Sequence, residues 1–353
     1  MNKIAIIGTT SWGITLAILL ANKGSEVRLW ARTEREANNI RKKGLDQSRF
    51  PSITLPPEIK VTSRMSEAME DANAVIMAVP SATMRLNISQ VASHLEKSTL
   101  VVSVSKGLEL GSNKRMSQVI ADEIDPRFQG NICALSGPNL AREIMQDLPA
   151  AAVVAAQDNS TAKRAQRLLT CPNFCIFTNN DIIGVELAGS LKNIIALGAG
   201  IADGLGYGDN AKAAFITRGL TEITALGMSL GANPLTFSGL AGLGDVIATC
   251  TSTLSRNHYV GAELAKGRPL TEITDSMNEV AEGINTTLVA NNLAEQLGLE
   301  MPITEKIYQV LYEDADIHEA TVALMGGNAK HELSGRRWRL FSLFRRRQRS
   351  STT

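Results

Sequence analysis

Lys192 is one of only two charged residues in residues 184–202, the other being Glu186. Leucines and isoleucines at positions 187, 191, 194 and 195 recur with helical spacing, so this stretch predicts an apolar helix. A lysine desolvated in such a helix has a lowered pKa, which suits a general acid or base. The alternative is a structural lysine whose long stem carries its charge out to solvent.

Asp245 and the run Ser255-Arg256-Asn257 form a second polar group in the same half of the chain. Glycines at positions 239, 242 and 244 precede Asp245 and leave its carboxylate with little cover. The hydroxyl, guanidinium and amide of Ser255-Arg256-Asn257 together have the character of an oxyanion or phosphate clamp. The alternative is that Ser255 only caps a helix and Arg256 lies on its surface.

Gly8 and Gly13 mark a turn between a predicted strand, residues 3–7, and a predicted helix, residues 11–22. Gly8 suits the sharp turn, Gly13 suits close packing of helix on strand, and the helix N-terminus offers N–H groups to a pyrophosphate. Thr10 stands where the G-x-G-x-x-G dinucleotide pattern has its middle glycine, which predicts a looser or shifted fit. A plain strand-to-helix turn remains the alternative.

Polar residues also follow the later predicted strands. Arg32 comes after residues 26–30 and, with Arg35 nearby, favours the 2′-phosphate of NADP, unless it is a surface arginine. Lys106 follows residues 100–104 and could hold a substrate carbonyl or phosphate. Because ligands bind beyond the carboxyl ends of parallel strands, we expect these groups to converge at one edge of a sheet. The segment 280–283 lies between predicted helices and could reach the same cleft.

Predicted strands and helices alternate in the first half of the chain, which indicates an α/β fold. Such a fold would position the polar groups that follow its strands. The predicted strands are 3–7, 26–30, 74–79, 100–104, 132–135, 151–155 and 174–178, and the predicted helices are 11–22, 34–43, 82–94 and 113–123. This order predicts a Rossmann-type, mostly parallel sheet domain over residues 1–180. Long helical patterns then predict an all-helical substrate domain over residues 181–334.

Residues 335–353 form an arginine-rich tail that also contains Trp338, Phe341 and Phe344. Such a segment could be a basic amphipathic helix that contacts an anionic membrane weakly. A disordered tail, or a terminal helix docked on its own domain, is the alternative.

The composition sets limits on the remaining function classes. The chain has 353 residues, 44% of them hydrophobic and 20% charged, with a formal net charge of +1. These values are ordinary for a soluble globular protein and give no signal for a nucleic-acid partner. The cysteines and histidines lack metal-site spacing, so no metal is expected. The start of the chain lacks a signal-peptide pattern, which favours a cytoplasmic location.

With these motifs assembled, the chain resembles the bacterial NAD(P)-dependent glycerol-3-phosphate dehydrogenases from residue 3 to about residue 330. The resemblance rests on several long stretches, among them SVSKGLE, SGPNLAREI, VELAGSLKNIIALGAGIADGLGYGDNAKAAFITRG and GLAGLGDVIATCTSTLSRN. It implies reversible reduction of dihydroxyacetone phosphate to sn-glycerol 3-phosphate with NADP or NAD, which supports phospholipid synthesis. It also implies a homodimer.

The resemblance carries roles to individual residues. Lys192 matches the proton donor and acceptor, and Lys106 and Asp245 match its companions in the catalytic and substrate site. The other matches to substrate-binding positions are Gly137, Ser255, Arg256 and Asn257. The matches to cofactor-binding positions are Ser11, Trp12, Arg32, Ala141, Arg256 and Glu282, and the patterns described above add Gly8, Gly13, Lys106 and Val280 as cofactor-binding candidates.

The chain departs from the family pattern at two positions. Thr10 replaces the usual glycine, and Asn139 replaces the usual serine or threonine after Gly-Pro. An asparagine can still donate and accept hydrogen bonds, so Asn139 stays a substrate-binding candidate. Neither change removes a group that moves a proton.

Three other functions stay open at this point. The first is a related two-domain dehydrogenase that acts on another small hydroxy acid. The second is a non-catalytic NADP(H)-binding sensor, which the altered glycine-rich turn suggests but the retained Lys106, Lys192 and Asp245 oppose. The third is a peripheral membrane protein that works through the arginine-rich tail.

Overall fold

An eight-stranded sheet forms the N-terminal half of the protein. The structure, a computed structural model, describes residues 2–46, 50, 53–277 and 279–325. The strands are β1 (Lys3–Ile7), β2 (Glu26–Trp30), β3 (Ile59–Thr62), β4 (Ala74–Met77), β5 (Leu100–Ser103), β6 (Ile132–Ser136), β7 (Ala150–Ala156) and β8 (Phe174–Asn179). Their order across the sheet is β3-β2-β1-β4-β5-β6-β7-β8. The predicted α/β class with a mostly parallel sheet is confirmed.

β3 is the strand that the sequence pattern missed. It has four residues, IKVT, and its second side chain, Lys60, points to solvent. A strand this short and half polar carries little of the hydrophobic pattern by which strands are recognised. The other strands lie within two residues of their predicted bounds.

Helices cover both faces of the sheet. They are α1 (Ser11–Asn22), α2 (Glu34–Lys43), α3 (Met65–Met69), α4 (Met84–Ala92), α5 (Met116–Glu123), α6 (Ala141–Met145) and α7 (Asn159–Leu169). Apolar residues of α1, α2, α6 and α7 share one core with the sheet, and those of α3, α4 and α5 share the core on the opposite face. Two predicted helices are shorter than expected: a 3₁₀ turn, Ser81–Thr83, precedes α4, and α5 begins at Met116.

The chain reverses direction at β7. β6 and β7 pair antiparallel, whereas every other neighbouring pair is parallel. The carboxyl ends of β1, β4, β5 and β6 therefore lie along one edge of the sheet, as expected for a ligand-binding edge.

The C-terminal half is built from helices around α8. These helices are α8 (Ile182–Gly204), α9 (Gly208–Ser229), α10 (Pro234–Phe237), α11 (Asp245–Thr251), α12 (Arg256–Ala265), α13 (Leu270–Asp275), α14 (Glu282–Leu297), α15 (Pro302–Tyr312) and α16 (Ile317–Met325). α8 is long and apolar enough to cross a membrane, but 94% of its apolar window is buried inside the protein. It is the central core helix of this half.

α8 packs closely against both α12 and the sheet. An ideal Cβ on Gly200 would lie 2.0 Å from the carbonyl oxygen of His258, and one on Gly261 would lie 1.9 Å from that of Leu197. The two helix backbones are therefore in direct contact. On another side, α8 shares a core with Ala134 of β6 and Val153 of β7. The arginine-rich tail, residues 335–353, lies outside the described residues.

Candidate active site

Lys106, Lys192 and Asp245 form a buried charged cluster between the sheet and the helices. The Nζ of Lys192 lies 2.9 Å from Oδ1 of Asp245, and the Nζ of Lys106 lies 2.6 Å from Oδ2 of the same carboxylate. Lys106 also donates to the carbonyl oxygen of Gly137 at 2.8 Å. The side chains of Asp245 and Lys192 are 2% and 8% exposed, and that of Lys106 is 20% exposed.

Four elements bring this cluster together. Lys106 follows β5 and Gly137 follows β6, two neighbouring parallel strands. Lys192 lies in the middle of α8, and Asp245 is the first residue of α11, directly after a π-helical turn at Leu240–Gly244. π-Helical turns are rare and occur frequently at functional sites.

Burial and the neighbouring charges shift the pKa values of Lys192 and Asp245. The pKa of Lys192 is lowered to about 8, mainly by burial, with the Asp245 carboxylate opposing the shift and the Lys106 ammonium adding to it. Burial alone would raise the pKa of Asp245, but the charges of Lys106 and Lys192 hold it below its ordinary value. Two ammonium groups share one carboxylate, so the cluster has one excess positive charge, which can stabilise an anionic oxygen of a ligand.

Thr249 completes the surroundings of Lys192. Its Oγ1 accepts a hydrogen bond from Lys192 Nζ and donates one to Asp245 Oδ1 at 3.1 Å. The hydroxyl therefore links the ammonium to the carboxylate from within α11. The sequence did not predict a role for Thr249. Its position one helical turn after Asp245 brings it to Lys192 only because α11 packs against α8.

The glycine-rich turn after β1 has the shape that a dinucleotide requires. Gly8 has φ +112°, and an ideal Cβ there would lie 2.6 Å from the carbonyl oxygen of Ala78. An ideal Cβ on Gly13 would lie 2.4 Å from the carbonyl oxygen of Gly8. Both positions therefore accept only glycine, and the turn leads directly into the N-terminus of α1, where anions bind.

Thr10 acts as the N-cap of α1. Its backbone is extended, at φ −63° and ψ 160°, so this position does not need glycine. Its hydroxyl accepts from Gly13 N at 3.1 Å and donates to the carbonyl oxygen of Ala78 at 2.8 Å. The side chain of Thr10 thus faces the protein, and its hydroxyl accepts a hydrogen bond from one of the first N–H groups of α1.

The other predicted cofactor residues surround the same turn. Arg32 follows β2 and borders a cavity of about 450 Å³, whose other lining residues include Thr33, Arg35, Glu36, Asn39 and Lys43. The ring of Trp12 packs edge-on against Phe174, with 5.9 Å between centroids, so it faces the core.

Three further predicted cofactor residues lie at the start of α14 (Glu282), just before it (Val280) and at the start of α6 (Ala141). Glu282 begins α14, and its carboxylate accepts from the backbone N–H of Ser81 at 2.9 Å and from the Ser81 hydroxyl. Burial raises the pKa of Glu282. Ala141 is the first residue of α6, and the carbonyl oxygen of Val280 accepts from Arg256 at 2.8 Å. Glu282 thus links the helical half to the end of β4.

The Ser255-Arg256-Asn257 run divides into two kinds of residue. Ser255 is the N-cap of α12 and accepts from His258 N, and Asn257 donates to Asn193 Oδ1 and accepts from Gly283 N, both at 2.9 Å. These contacts are structural. The side chain of Arg256 is 49% exposed, and its Nη1 lies 3.3 Å from Oε2 of Glu279, so Arg256 is the accessible cation of the run.

The side-chain amide of Asn139 is buried, and no partner for it lies in the described part of the chain. Among the described residues, neither its Nδ2 nor its Oδ1 has a hydrogen-bond partner, and both atoms are buried. The Ser136 hydroxyl is in the same condition within that part of the chain. Buried polar atoms are normally satisfied, so a ligand is the natural partner for this amide.

Glu279 is the residue of this region that sequence reasoning missed. Its carboxylate accepts from the backbone N–H of Ser11 at 2.8 Å and from the Ser11 hydroxyl at 2.9 Å, across 268 positions of the chain. Only its nearness to the segment 280–283 could have drawn attention to it.

Family models match both halves of the chain. The model of the NAD-dependent glycerol-3-phosphate dehydrogenase N-terminus matches residues 3–162, and that of the C-terminus matches residues 181–322. Together they contain the glycine-rich turn and the charged cluster.

Individual relatives and a solved structure agree with these matches. An NAD(P)+-dependent glycerol-3-phosphate dehydrogenase from Dehalococcoides mccartyi strain 195 is 61% identical, covering all of this chain and 98% of the relative. One from Geobacter metallireducens is 46% identical over 94% of this chain and 98% of the relative. A glycerol-3-phosphate dehydrogenase crystal structure from Coxiella burnetii has a TM-score of 0.87 and 35% identity, covering 92% of this chain and 99% of that one.

Proposed function

The chain belongs to the NAD-dependent glycerol-3-phosphate dehydrogenase family, and from this membership we propose that Lys192 exchanges the proton with the substrate oxygen. The protein is an oxidoreductase that uses NAD or NADP. It interconverts dihydroxyacetone phosphate and sn-glycerol 3-phosphate, a step that serves phospholipid synthesis.

The observation that carries this proposal is the buried pair of Lys192 and Asp245, with the pKa of Lys192 lowered to about 8. The nicotinamide, when bound, supplies or accepts the hydride. During reduction the ketone oxygen of the substrate gains negative charge, and the Lys192 ammonium stabilises it and gives it a proton. During oxidation the neutral amine takes that proton back. A pKa of about 8 keeps both forms populated near physiological pH.

Lys106 and Asp245 support this transfer in different ways. Asp245 holds Lys192 and Lys106 by one oxygen each, and so fixes the distance between the two ammonium groups. We assign Lys106 to binding the substrate oxygen and the cofactor, since its side chain is the more exposed of the two lysines. Asp245 stays ionised, holds Lys192 in position and raises its pKa against the larger effect of burial.

Arg256 is the cation that we assign to the substrate phosphate. Its side chain is half-exposed, and the planar fork of donors at its end suits a phosphate. Ser255 and Asn257 hold the start of α12 in place, while Gly137 and the amide of Asn139 complete the substrate side.

We assign the cofactor to the cleft that begins at the glycine-rich turn. The fit rests on the tight turn at Gly8 and Gly13, where a Cβ would meet backbone oxygens of the protein itself, and on the N-terminus of α1. The residues assigned to hold it are Gly8, Ser11, Trp12, Gly13, Arg32, Lys106, Ala141, Arg256, Val280 and Glu282. Arg32 would meet a 2′-phosphate.

Replacing Lys192 by alanine tests the proposal. We expect oxidation of NADPH and NADH with dihydroxyacetone phosphate to lose about 10²-fold or more in kcat, as for lost general acid–base groups. The melting temperature with saturating NADPH should stay close to that of the wild type, which shows that the fold and cofactor site remain. Near-normal turnover in Lys192→Ala would rule out this role.

The assembly and location of the enzyme are also proposals. We propose two domains, residues 1–180 and 181–334, a cytoplasmic location, and a homodimer formed through the helical half. Exposed apolar side chains on α9, α10 and α11, such as Met228, Leu235 and Ile247, support the homodimer. Sedimentation of the purified protein tests the homodimer.

We also propose weak membrane contact through residues 335–353. Liposome pelleting of the full chain against a chain ending at residue 334 tests this contact, and equal pelleting would contradict it.

A further inference from the structure

Glu279 takes the hydrogen-bond donors at the start of α1. Ser11 is the first residue of this helix, and both its backbone N–H and its hydroxyl donate to Oε1 of Glu279, at 2.8 and 2.9 Å. In a dinucleotide fold, these first N–H groups after the glycine-rich turn are the donors that a pyrophosphate needs. A carboxylate of the protein therefore lies where the cofactor's negative charge belongs.

The same carboxylate also holds Arg256. Oε2 of Glu279 lies 3.3 Å from Nη1 of Arg256, and that guanidinium donates to the carbonyl oxygen of the next residue, Val280, at 2.8 Å. One side chain thus joins the start of α1 in the sheet half to the cation that we assign to the substrate phosphate. Only 20% of the Glu279 side chain is exposed, so these interactions are partly shielded from water.

We propose that Glu279 is an internal competitor of the dinucleotide. Its carboxylate satisfies Ser11 and Arg256 in the free enzyme and leaves Ser11 when a pyrophosphate binds, since two anions cannot share the same donors. This inference rests on the proposed cofactor site. It goes beyond that site because Glu279 lowers, rather than supplies, affinity for the cofactor.

The competition gives two opposite effects of removing the charge. Glu279→Gln keeps the size of the side chain but loses its negative charge, so hydrogen bonds to Ser11 and Arg256 in the free enzyme become weaker. The free enzyme should therefore melt at a lower temperature. The dinucleotide, which no longer displaces a carboxylate, should bind more tightly. A merely structural residue would lower stability without tightening binding.

The test is titration of the full-length protein with NADPH, followed by the fluorescence of its reduced nicotinamide, with no substrate present. We expect Glu279→Gln to lower the Kd of NADPH about tenfold, equivalent to about 1.4 kcal/mol. Glu279→Ala should change the Kd in the same direction. The matched control is Glu272→Gln, which makes the same charge change at an exposed position of α13 and should leave the Kd unchanged.

An unchanged or raised Kd in both Glu279 variants would overturn the inference, as would an equal decrease in Glu272→Gln. Those results would leave the cofactor site itself intact. If the wild type bound no NADPH, or if Arg32→Ala and Lys106→Ala left its binding unchanged, the proposed cofactor site would fail instead, and the inference with it.

Discussion

Lys192 and Asp245 form an ion pair, with 2.9 Å between Nζ and Oδ1, in a region where both side chains are almost fully buried. The carboxylate raises the pKa of Lys192, whereas burial and the neighbouring Lys106 lower it. The proton affinity of the proposed acid–base group therefore depends on one carboxylate that two ammonium groups share. A substitution at Asp245 should therefore change the pKa of Lys192 while the lysine itself is kept.

Asp245→Asn should shift the pH dependence of dihydroxyacetone phosphate reduction. Reduction needs the Lys192 ammonium, so the rate should fall as pH rises through its pKa of about 8. The variant loses the group that raises this pKa and keeps Lys106, which lowers it. The falling limb of kcat/KM should therefore move to lower pH, which pH–rate profiles with NADPH measure.

The matched control is Asp275→Asn, which changes an exposed aspartate at the end of α13. Its falling limb should coincide with that of the wild type. A limb that stays in place in Asp245→Asn, or moves to higher pH, would contradict the assignment of Lys192 as the acid.

Glu222 should make stability fall as the solution becomes more alkaline. Its carboxylate accepts from the backbone N–H groups of Ile303 and Thr304 at 3.0 and 2.8 Å, at the start of α15. Burial nevertheless raises its pKa to about 7, from an ordinary value of 4.5. A raised pKa favours folding while the group is protonated, so this contribution is full below pH 4.5 and is lost as pH rises through 7.

Glu222→Gln removes this titration. The difference in free energy of unfolding between the wild type and the variant should change by about 2 kcal/mol between about pH 5.5 and about pH 8, the wild type losing more. Denaturation with urea at the two pH values measures it. Glu300→Gln, at an exposed position, should show no such change. A pH-independent difference for Glu222→Gln would mean that this carboxylate stays ionised in the folded protein.

Much of the fold follows from local patterns. The bounds of α1 and α2 agree with the prediction because capping residues, Thr10 and Thr33, stand directly before each helix. The apolar stretch around Lys192 predicted a buried helix, and α8 is one. β3 was not predicted, because a strand of four residues with an exposed lysine has little hydrophobic periodicity.

The contacts of the site could not be predicted in the same way. Lys106 and Asp245 are 139 positions apart, and their ion pair depends on how α11 packs against the sheet. The run Ser255-Arg256-Asn257 is predicted to bind phosphate, but the sequence could not show that Ser255 also caps α12 or that Asn257 also bonds Asn193 and Gly283, because those contacts depend on the packing of α12 on α8 and α14. The strand pattern predicted that Lys106 and Gly137 lie at one edge of the sheet, and the family resemblance implied that Lys192 and Asp245 join Lys106, but neither predicted the direction of each side chain.

Thr10 should matter for stability more than for the turn's shape. Thr10→Ala removes the N-cap of α1 and the hydrogen bond to Ala78, which should cost about 1 kcal/mol of stability. Thr10→Ser keeps a hydroxyl and is the control that should stay near the wild type. Thermal unfolding without ligand measures both, and equal melting temperatures for all three proteins would show that the cap is not stabilising.

Arg32 should decide the preference between NADPH and NADH. It borders the cavity after β2 together with Arg35 and Lys43, where an adenosine 2′-phosphate would be held by guanidinium groups. Arg32→Ala should raise the Kd of NADPH about tenfold or more, while the Kd of NADH changes about twofold at most. Fluorescence titration with each cofactor measures both values. Lys42→Ala, on the exposed side of α2, removes the same charge outside the cavity and should leave both constants unchanged. An equal loss of affinity for the two cofactors in Arg32→Ala would mean that Arg32 meets a part that they share, such as the adenine or the ribose, and not the 2′-phosphate.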